Sequence, residues 1–259
     1  MRIGTYNVLG LRGFPPEEAQ KEVGEPGGEK GIEHFAGVFA SLECDVLALE
    51  EGVSVRQMQE IARRMDCHLA TIPSPIAWPG HLLSRYPILE SRVFSHTVPG
   101  GETPLLSRTG GSVLLQLEDE IRLWVVVVHL HPASEEMRDR EADIIWKRLG
   151  ELLSVCENAV VVGDFNCAVE ERLHSHLRSM EFVNAMEEVG GGIEWTMDTV
   201  GVNQHAVDHI YLSPSLKQTL KGARVVSDSG FRHDGPQAAG VWVHSDHLPV
   251  VADLELSKM

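Results

Sequence analysis

Short apolar runs that each stop at a polar residue constrain this chain more than any other feature of it. Val-Leu-Ala-Leu (46–49) ends in Glu50-Glu51, the run 123–128 in His129, and Ala-Val-Val-Val (159–162) in Gly163-Asp164-Phe165-Asn166. Residues 2–6 lead into Asn7. Asp208 stands just before Ile210-Tyr211-Leu212, and Asp246-His247 just before Leu248-Pro249-Val250-Val251. Apolar runs of this length read as strands buried on both faces. One Asp or His at a strand end is ordinarily a turn, cap or rim residue. Six such ends in one chain, all with groups that bind metals or move protons, point to a shared site.

The rest of the chain supplies layers around those strands. Residues 67–72, 80–84, 90–98 and 110–117 read as short strands, as do 193–197, 206–212, 223–227 and 248–256. Helical spacing covers 32–42, Val55 to Met65, Ala133 to Val155, and 170–180. Ser134 followed by Glu135 is a helix start. Gly10 to Gly31, rich in Gly, Pro and Glu, reads as a solvated loop. No repeat or linker divides the chain, so a single domain is expected over residues 1–259. Interleaved strands and helices in this order predict an α/β sandwich. A doubly wound sheet would need a Gly-rich phosphate loop after the first strand, and Gly27-Gly28-Glu29-Lys30-Gly31 fits no such motif. HExxH and GxSxG are absent too.

Composition narrows the chemistry. A formal charge of −16 argues against gripping a long polyanion by neutralising many phosphates. It leaves open phosphate chemistry carried out through a metal. The four cysteines form no CxxC pair, the N-terminus has no signal-peptide core, and the longest apolar run is far short of a membrane span. A reducing, cytoplasmic setting is expected, with no dedicated protein partner evident. The thirteen histidines are many for 259 residues.

The strand-end residues form a coherent set. Glu51, Asp246 and Asn7 are hard oxygen donors of the kind Mg²⁺ or Mn²⁺ prefers. Asp208 could orient His247 as a proton-transfer group. Asp164 could hold or deprotonate a water while Asn166 donates to a phosphoryl oxygen. Together they describe hydrolytic attack on phosphorus.

The motifs Thr-Tyr-Asn-Val-Leu-Gly (5–10), Asp-Val-Leu-Ala-Leu-Glu-Glu (45–51), Leu-Leu-Ser-Arg-Tyr-Pro-Ile (82–88), Val-Val-His-Leu (127–130), Gly-Asp-Phe-Asn (163–166), Val-Asp-His-Ile-Tyr-Leu-Ser (207–213) and Ser-Asp-His-Leu-Pro-Val (245–250) occur in that order. This series resembles the endonuclease/exonuclease/phosphatase superfamily of deoxyribonuclease I-like phosphoesterases. The resemblance implies a four-layer α/β sandwich, two mixed sheets packed face to face and flanked by helices. It places the metal on Glu51, with Asn7 and Asp246 at or near it. It implies water activation at Asp164, phosphate contact at Asn166, a catalytic His247 partnered by Asp208, and a phosphate-facing His129. The expected partner is a phosphate ester: a small molecule, a lipid headgroup or a short nucleic acid.

Two departures bear on substrate. Glu50 replaces the usual Gln, adding a negative charge beside Glu51. His209 stands where inositol phosphatases usually carry Arg. Candidates for substrate contact are Arg12, Arg85, Arg108, His131, Arg232 and His233, the last two in a Gly/Pro-punctuated loop before Asp246. Two alternatives accompany the phosphoesterase reading: a repair-type DNA or RNA nuclease, and a binding module that has kept the fold without catalysis.

Overall fold

Side-chain alternation along the strands accounts for the layering. The computed structural model describes residues 1–96, 105–118, 121–197, 204–228, 230–232 and 240–256. One sheet holds β1 (Arg2–Asn7), β2 (Val46–Glu50), β3 (His68–Ile72), β4 (Gly80–Ser84), β11 (Leu220–Val225) and β12 (Val250–Leu254). Its order is β11-β12-β1-β2-β4-β3. The other holds β5 (Ile88–Val93), β6 (Gly110–Gln116), β7 (Arg122–His129), β8 (Ala159–Asp164), β9 (Val183–Asn184) and β10 (Asp208–Leu212), ordered β5-β6-β7-β8-β10-β9. Both sheets are mixed: β1 and β2 run parallel, as do β7 and β8, while the remaining pairs are antiparallel.

Ile3, Val46, Ala48, Val125, Val127, Val160, Val162, Ile210 and Val250 fill the space between the sheets. The residues between them point outward and pack under helices. Leu47 and Leu49 meet Phe35 and Phe39 of α2 (Glu29–Ser41), and Met58 and Ile61 of α3 (Val55–Arg64). Trp124, Val126 and Val161 meet Ile145 and Leu149 of α4 (Glu135–Leu153) and Leu173 of α5 (Arg172–Ser179). The result is the expected four-layer α/β sandwich, with two packed mixed sheets flanked by helices. Ser134 caps α4 by accepting from the Met137 N–H at 3.3 Å, as its sequence position predicts.

Three segments differ from the sequence reading. The stretch read as a loop from Gly10 to Gly31 contains α1 (Pro16–Val23), with Pro16 in its first turn, Glu17 and Glu18 near the N-terminus, and Ala19 and Val23 buried. Acidic composition masked an amphipathic helix of about two turns. Residues 193–197 form no ladder strand; Met197 makes only isolated bridges, to His205 and His247. A short helix, α6 (Ala185–Val189), follows β9 where no element was expected, capped by Asn184.

Candidate active site

The parity that fills the inter-sheet core delivers polar residues at one end of it. Continuing inward from Ile3, Val127 and Val162 brings Asn7, His129 and Asp164 to the same rim. Asp208 precedes Ile210 with the same facing. His129 pairs with Asp164 across β7 and β8, and Asp164 pairs with Asp208 across β8 and β10. Three potentially charged groups therefore lie abreast on adjacent strands. From the opposite sheet, the Asn7 amide Nδ2 donates to Asp164 Oδ2 at 3.0 Å and closes the gap between the sheets. All of these residues are buried.

His247 enters from the loop before β12. Its Nδ1 lies 2.8 Å from Asp208 Oδ2, leaving Nε2 facing Asp164 Oδ2 at 3.9 Å. Burial works against the protonated ring, but Asp208, Asp164 and Asp246 outweigh it and raise its pKa well above the ordinary histidine value. His129 behaves in the opposite way. Burial drives its pKa down to about 4, and the positive charges of His247 and Arg108 add to that against the pull of Asp164. One neutral and one protonated imidazole thus flank Asp164, whose own pKa burial raises. Asn166, held at φ 50°, turns its N–H onto Asp164 Oδ1 at 3.0 Å. Its side-chain amide donates to the Leu130 carbonyl at 3.2 Å.

Glu50 and Glu51 part company. Glu50 ends the inward face of β2 and is fully buried, accepting from Thr5 Oγ1 at 3.0 Å. Burial, with Asp208 and Asp164 nearby, raises its pKa well above the ordinary carboxylate value and so disfavours the ionised form. That shift works against the extra negative charge expected beside Glu51. Glu51 leaves the strand through a left-handed turn at φ 51°, which swings its carboxylate to 3.8 Å from His129 Nε2. Gly52 is needed next, because any Cβ there would strike the buried His81 ring.

The oxygens of this pocket suit a hard divalent cation. Burial, with Asp164 and Asp246 nearby, pushes the Glu51 carboxyl up to about 7. Among the described residues no Lys or Arg pairs with Glu51, Asp164, Asp208 or Asp246. An acidic cluster that has His247 but no Lys or Arg beside it is what a metal would relieve. Ser245 Oγ, which donates to the Asn7 carbonyl at 2.7 Å and lies 3.3 Å from Asp246 Oδ1, docks the Asp246 loop against Asn7. A second set, Asp164, Asp208 and His247, places ligand atoms within 4.8 Å of one another. There His247 Nδ1 is already engaged by Asp208, an arrangement better suited to holding a proton.

The outer candidates separate. Arg12 lies over the Trp78 ring at 5.7 Å, and Arg232 over Trp195 at 4.4 Å, beside Thr196. His131 turns its Nδ1 toward the N–H groups of Ala133 and Ser134, so its ring anchors the approach to α4. Arg85 is at the far end of β2, its N–H bonded to the Asp45 carbonyl. His209, a departure that bore on substrate in the sequence, points the other way. Strand alternation buries it against Phe165, His174 and Asn184 in the helical layer. His233 lies outside the described residues.

Thr196 escaped sequence reasoning. Its hydroxyl donates to Asp208 Oδ2 at 2.6 Å and accepts from the Asp208 N–H at 3.0 Å, fixing the carboxylate that holds His247. No local pattern marks it, since its role arises only when the 193–197 segment crosses β10.

The sequence profile of the Endonuclease/Exonuclease/phosphatase family matches residues 4–247. No curated protein matches the sequence significantly. Similar solved structures include a mannosyl-6-phosphatase from Bacteroides thetaiotaomicron, 17% identical with a TM-score of 0.74, covering 98% of this chain and 99% of that one. A truncated TDP2 from Caenorhabditis elegans is 16% identical with a TM-score of 0.71, at 98% and 96% coverage. The 3′ phosphatase NExo from Neisseria, bound to a product DNA hairpin, is also 16% identical with a TM-score of 0.71, at 98% and 99% coverage. At such identities the likeness is one of fold, while the profile match spans nearly the whole chain. The chain belongs to the Endonuclease/Exonuclease/phosphatase family, whose members are phosphoric ester hydrolases.

Proposed function

We propose that this protein is a divalent-metal-dependent phosphoesterase that uses Mg²⁺ or Mn²⁺ to hydrolyse a phosphodiester or phosphomonoester by water attack. The observation that carries the reading is the row His129, Asp164, Asp208 on adjacent strands, with His247 bonded to Asp208 and facing Asp164. Glu51, Asp246 and Asn7 would hold the ion. When bound, it polarises a phosphoryl oxygen and offsets charge on phosphorus.

The protein's own groups divide the remaining work. Asp164, steadied by Asn7 and Asn166, holds the attacking water and draws on its proton. His247, protonated by its carboxylate neighbours, donates through Nε2 to a phosphoryl oxygen while Asp208 fixes the ring. His129, neutral, presents a hydrogen-bonding nitrogen to the same group. Asn166 uses one amide hydrogen on Leu130 and retains the other for phosphate.

A compact ester fits best, because the chain is strongly acidic overall. Among the described residues no helix is long and apolar enough to cross a membrane. Free Cys44, Cys67, Cys156 and Cys167 support a reducing, cytoplasmic setting. The deciding experiment is a metal-supplemented screen over short DNA, RNA, inositol phosphates, sugar phosphates and phospholipids. Asp164→Ala and His247→Ala should abolish hydrolysis of any ester found; full activity in either, or in excess EDTA, refutes the mechanism. A repair-type nuclease would show a steep salt dependence of binding, whereas a compact-ester enzyme would show a shallow one.

A further inference from the structure

Glu51 is held in a backbone conformation that residues other than glycine rarely adopt, and the hold comes from neighbouring segments. At φ 51° it lies in the left-handed region, which persists where the surroundings over-determine it. Three consecutive residues are fastened here to the turn after β1 and to the entry of β4. The Glu51 carbonyl accepts from the Gly10 N–H at 2.8 Å, and the Gly52 N–H donates to the Pro79 carbonyl at 2.8 Å. The Val53 carbonyl accepts from His81 Nε2 at 2.9 Å. The first two bonds join backbone to backbone, whereas the third comes from a side chain that the proposed chemistry leaves unused.

His81 is fully buried on β4, with Leu49 of β2 opposite it on one side and Thr71 of β3 on the other. A carbonyl only accepts, so Nε2 carries a proton and points it at Val53. Burial lowers the ring's pKa to about 4, which leaves it neutral with that single proton. Nδ1 is then an acceptor and takes the Thr71 hydroxyl at 3.0 Å. With both nitrogens satisfied, the ring has one fixed orientation. The same ring covers Gly52 and leaves no room there for a Cβ. One side chain therefore bonds the residue two places after Glu51 and packs on the residue between.

Building on the phosphoesterase reading, in which Glu51 holds the ion, we infer that His81 is a positioning residue for Glu51. Its Nε2 proton clamps Val53 and its ring seals Gly52, so the left-handed turn is complete in the metal-free fold. Strand alternation alone would carry Glu51 to the helix-facing side with Leu49. The clamp keeps it turned toward His129 instead, and the carboxylate needs no backbone rearrangement to meet a divalent cation. Thr71 acts one step further out, by fixing the ring that makes the clamp.

Amide hydrogen exchange in the metal-free protein and calorimetric Mn²⁺ binding test the clamp through two separate readouts. His81→Leu removes the donor, while His81→Gln keeps an N–H of similar reach. In metal-free His81→Leu the Gly10 and Gly52 amides should exchange about tenfold faster, while those of β7 and β8 keep their protection. Mn²⁺ should bind that variant about tenfold more weakly. His81→Gln should recover most of both effects. On any hydrolysed ester, the Mn²⁺ concentration giving half activity should rise in His81→Leu far more than kcat falls at saturating metal. Thr71→Val should show smaller changes in the same direction, and it carries the test if His81→Leu does not fold. Unchanged exchange at Gly10 and Gly52, unchanged Mn²⁺ affinity in the folded variant, or equal losses in His81→Gln and His81→Leu overturn the assignment. Absence of Mn²⁺ binding and of metal-dependent hydrolysis in the unaltered protein would instead refute the phosphoesterase reading, and the exchange comparison would still judge the turn.

Discussion

Asp164 and Asp208 stand directly opposite each other on β8 and β10, and only Asp208 lies at hydrogen-bond distance from an imidazole. Asp208 Oδ2 meets His247 Nδ1 at 2.8 Å, whereas Asp164 Oδ2 is 3.9 Å from His247 Nε2. Two carboxylates and one ring thus take different tasks. One fixes the ring and raises its pKa, and the other keeps its oxygens for the reacting group. Pairs of titratable groups with divergent surroundings are how one site runs acid and base chemistry together.

Replacing Asp208 by Asn should separate those tasks. The ring loses the carboxylate that raises its pKa, so the protonated form of His247 disappears at lower pH. We expect kcat to fall by about 10²–10⁴-fold with little change in KM, and the alkaline limb of the pH–rate profile to move to lower pH. Steady-state kinetics across pH on any hydrolysed ester measures both, and an unmoved alkaline limb would remove His247 as the proton donor.

Metal binding should be coupled to a proton on Glu51. Without metal its carboxyl titrates at about 7, because burial and neighbouring acids disfavour the ionised form. Below that pH the ion must displace a proton. Affinity should therefore rise by about tenfold per pH unit up to pH 7 and level off above it. Calorimetry in buffers of different ionisation enthalpy would show the released proton. Glu51→Gln should weaken Mg²⁺ binding and abolish the pH slope.

Acid should destabilise the metal-loaded protein well before general acid unfolding. Burial lowers His81 and His174 to about 4, and His209 to about 3. Unfolding frees these rings to bind protons near pH 6.5, so the unfolded state gains protons first as pH drops. Their contribution is complete above pH 6.5 and is lost as pH falls through 6.5 toward 4. The raised carboxyls of Glu50 and Glu51 act with the opposite sign, and bound metal removes the Glu51 part. Melting temperatures with Mg²⁺ should decline over this window, and His174→Gln/His209→Gln should flatten the decline.

Gly163→Ala should cripple folding rather than chemistry. Gly163 sits at φ 137°, and a Cβ there would drive into the Val128 carbonyl oxygen, backbone against backbone on the paired strand. The clash falls in the middle of the row that aligns His129, Asp164 and Asp208. A loss of roughly 3 kcal/mol or more is expected from strain of this type, measurable by urea denaturation.

Much of the site was legible because strand alternation is a local rule. A buried run such as Ala-Val-Val-Val followed by Gly-Asp announces that a polar residue stands at the edge of a core, and His129, Asp164 and Asp208 followed from that alone. The same rule misleads where backbone leaves the strand. Glu50 and Glu51 are adjacent and chemically alike, and periodicity would send Glu50 to the pocket face. A left-handed turn at Glu51, backed by Gly52 against His81, decides which carboxylate reaches the open pocket. His209 shows the converse, since its neighbour Asp208 faces inward and a one-residue step reverses the side.

By itself, then, the sequence determined the strands, their buried faces and the chemical types waiting at their ends, because apolar periodicity and strand length are set residue by residue. The tertiary structure alone decided which ends meet. Register across β7, β8 and β10 brought His129, Asp164 and Asp208 abreast, and a loop contact through Thr196 aimed Asp208 at His247. Burial then raised the pKa of Glu50 and lowered that of His129. Those outcomes depend on distances between segments far apart in the chain and on the low polarity between two packed sheets, neither of which a linear pattern carries.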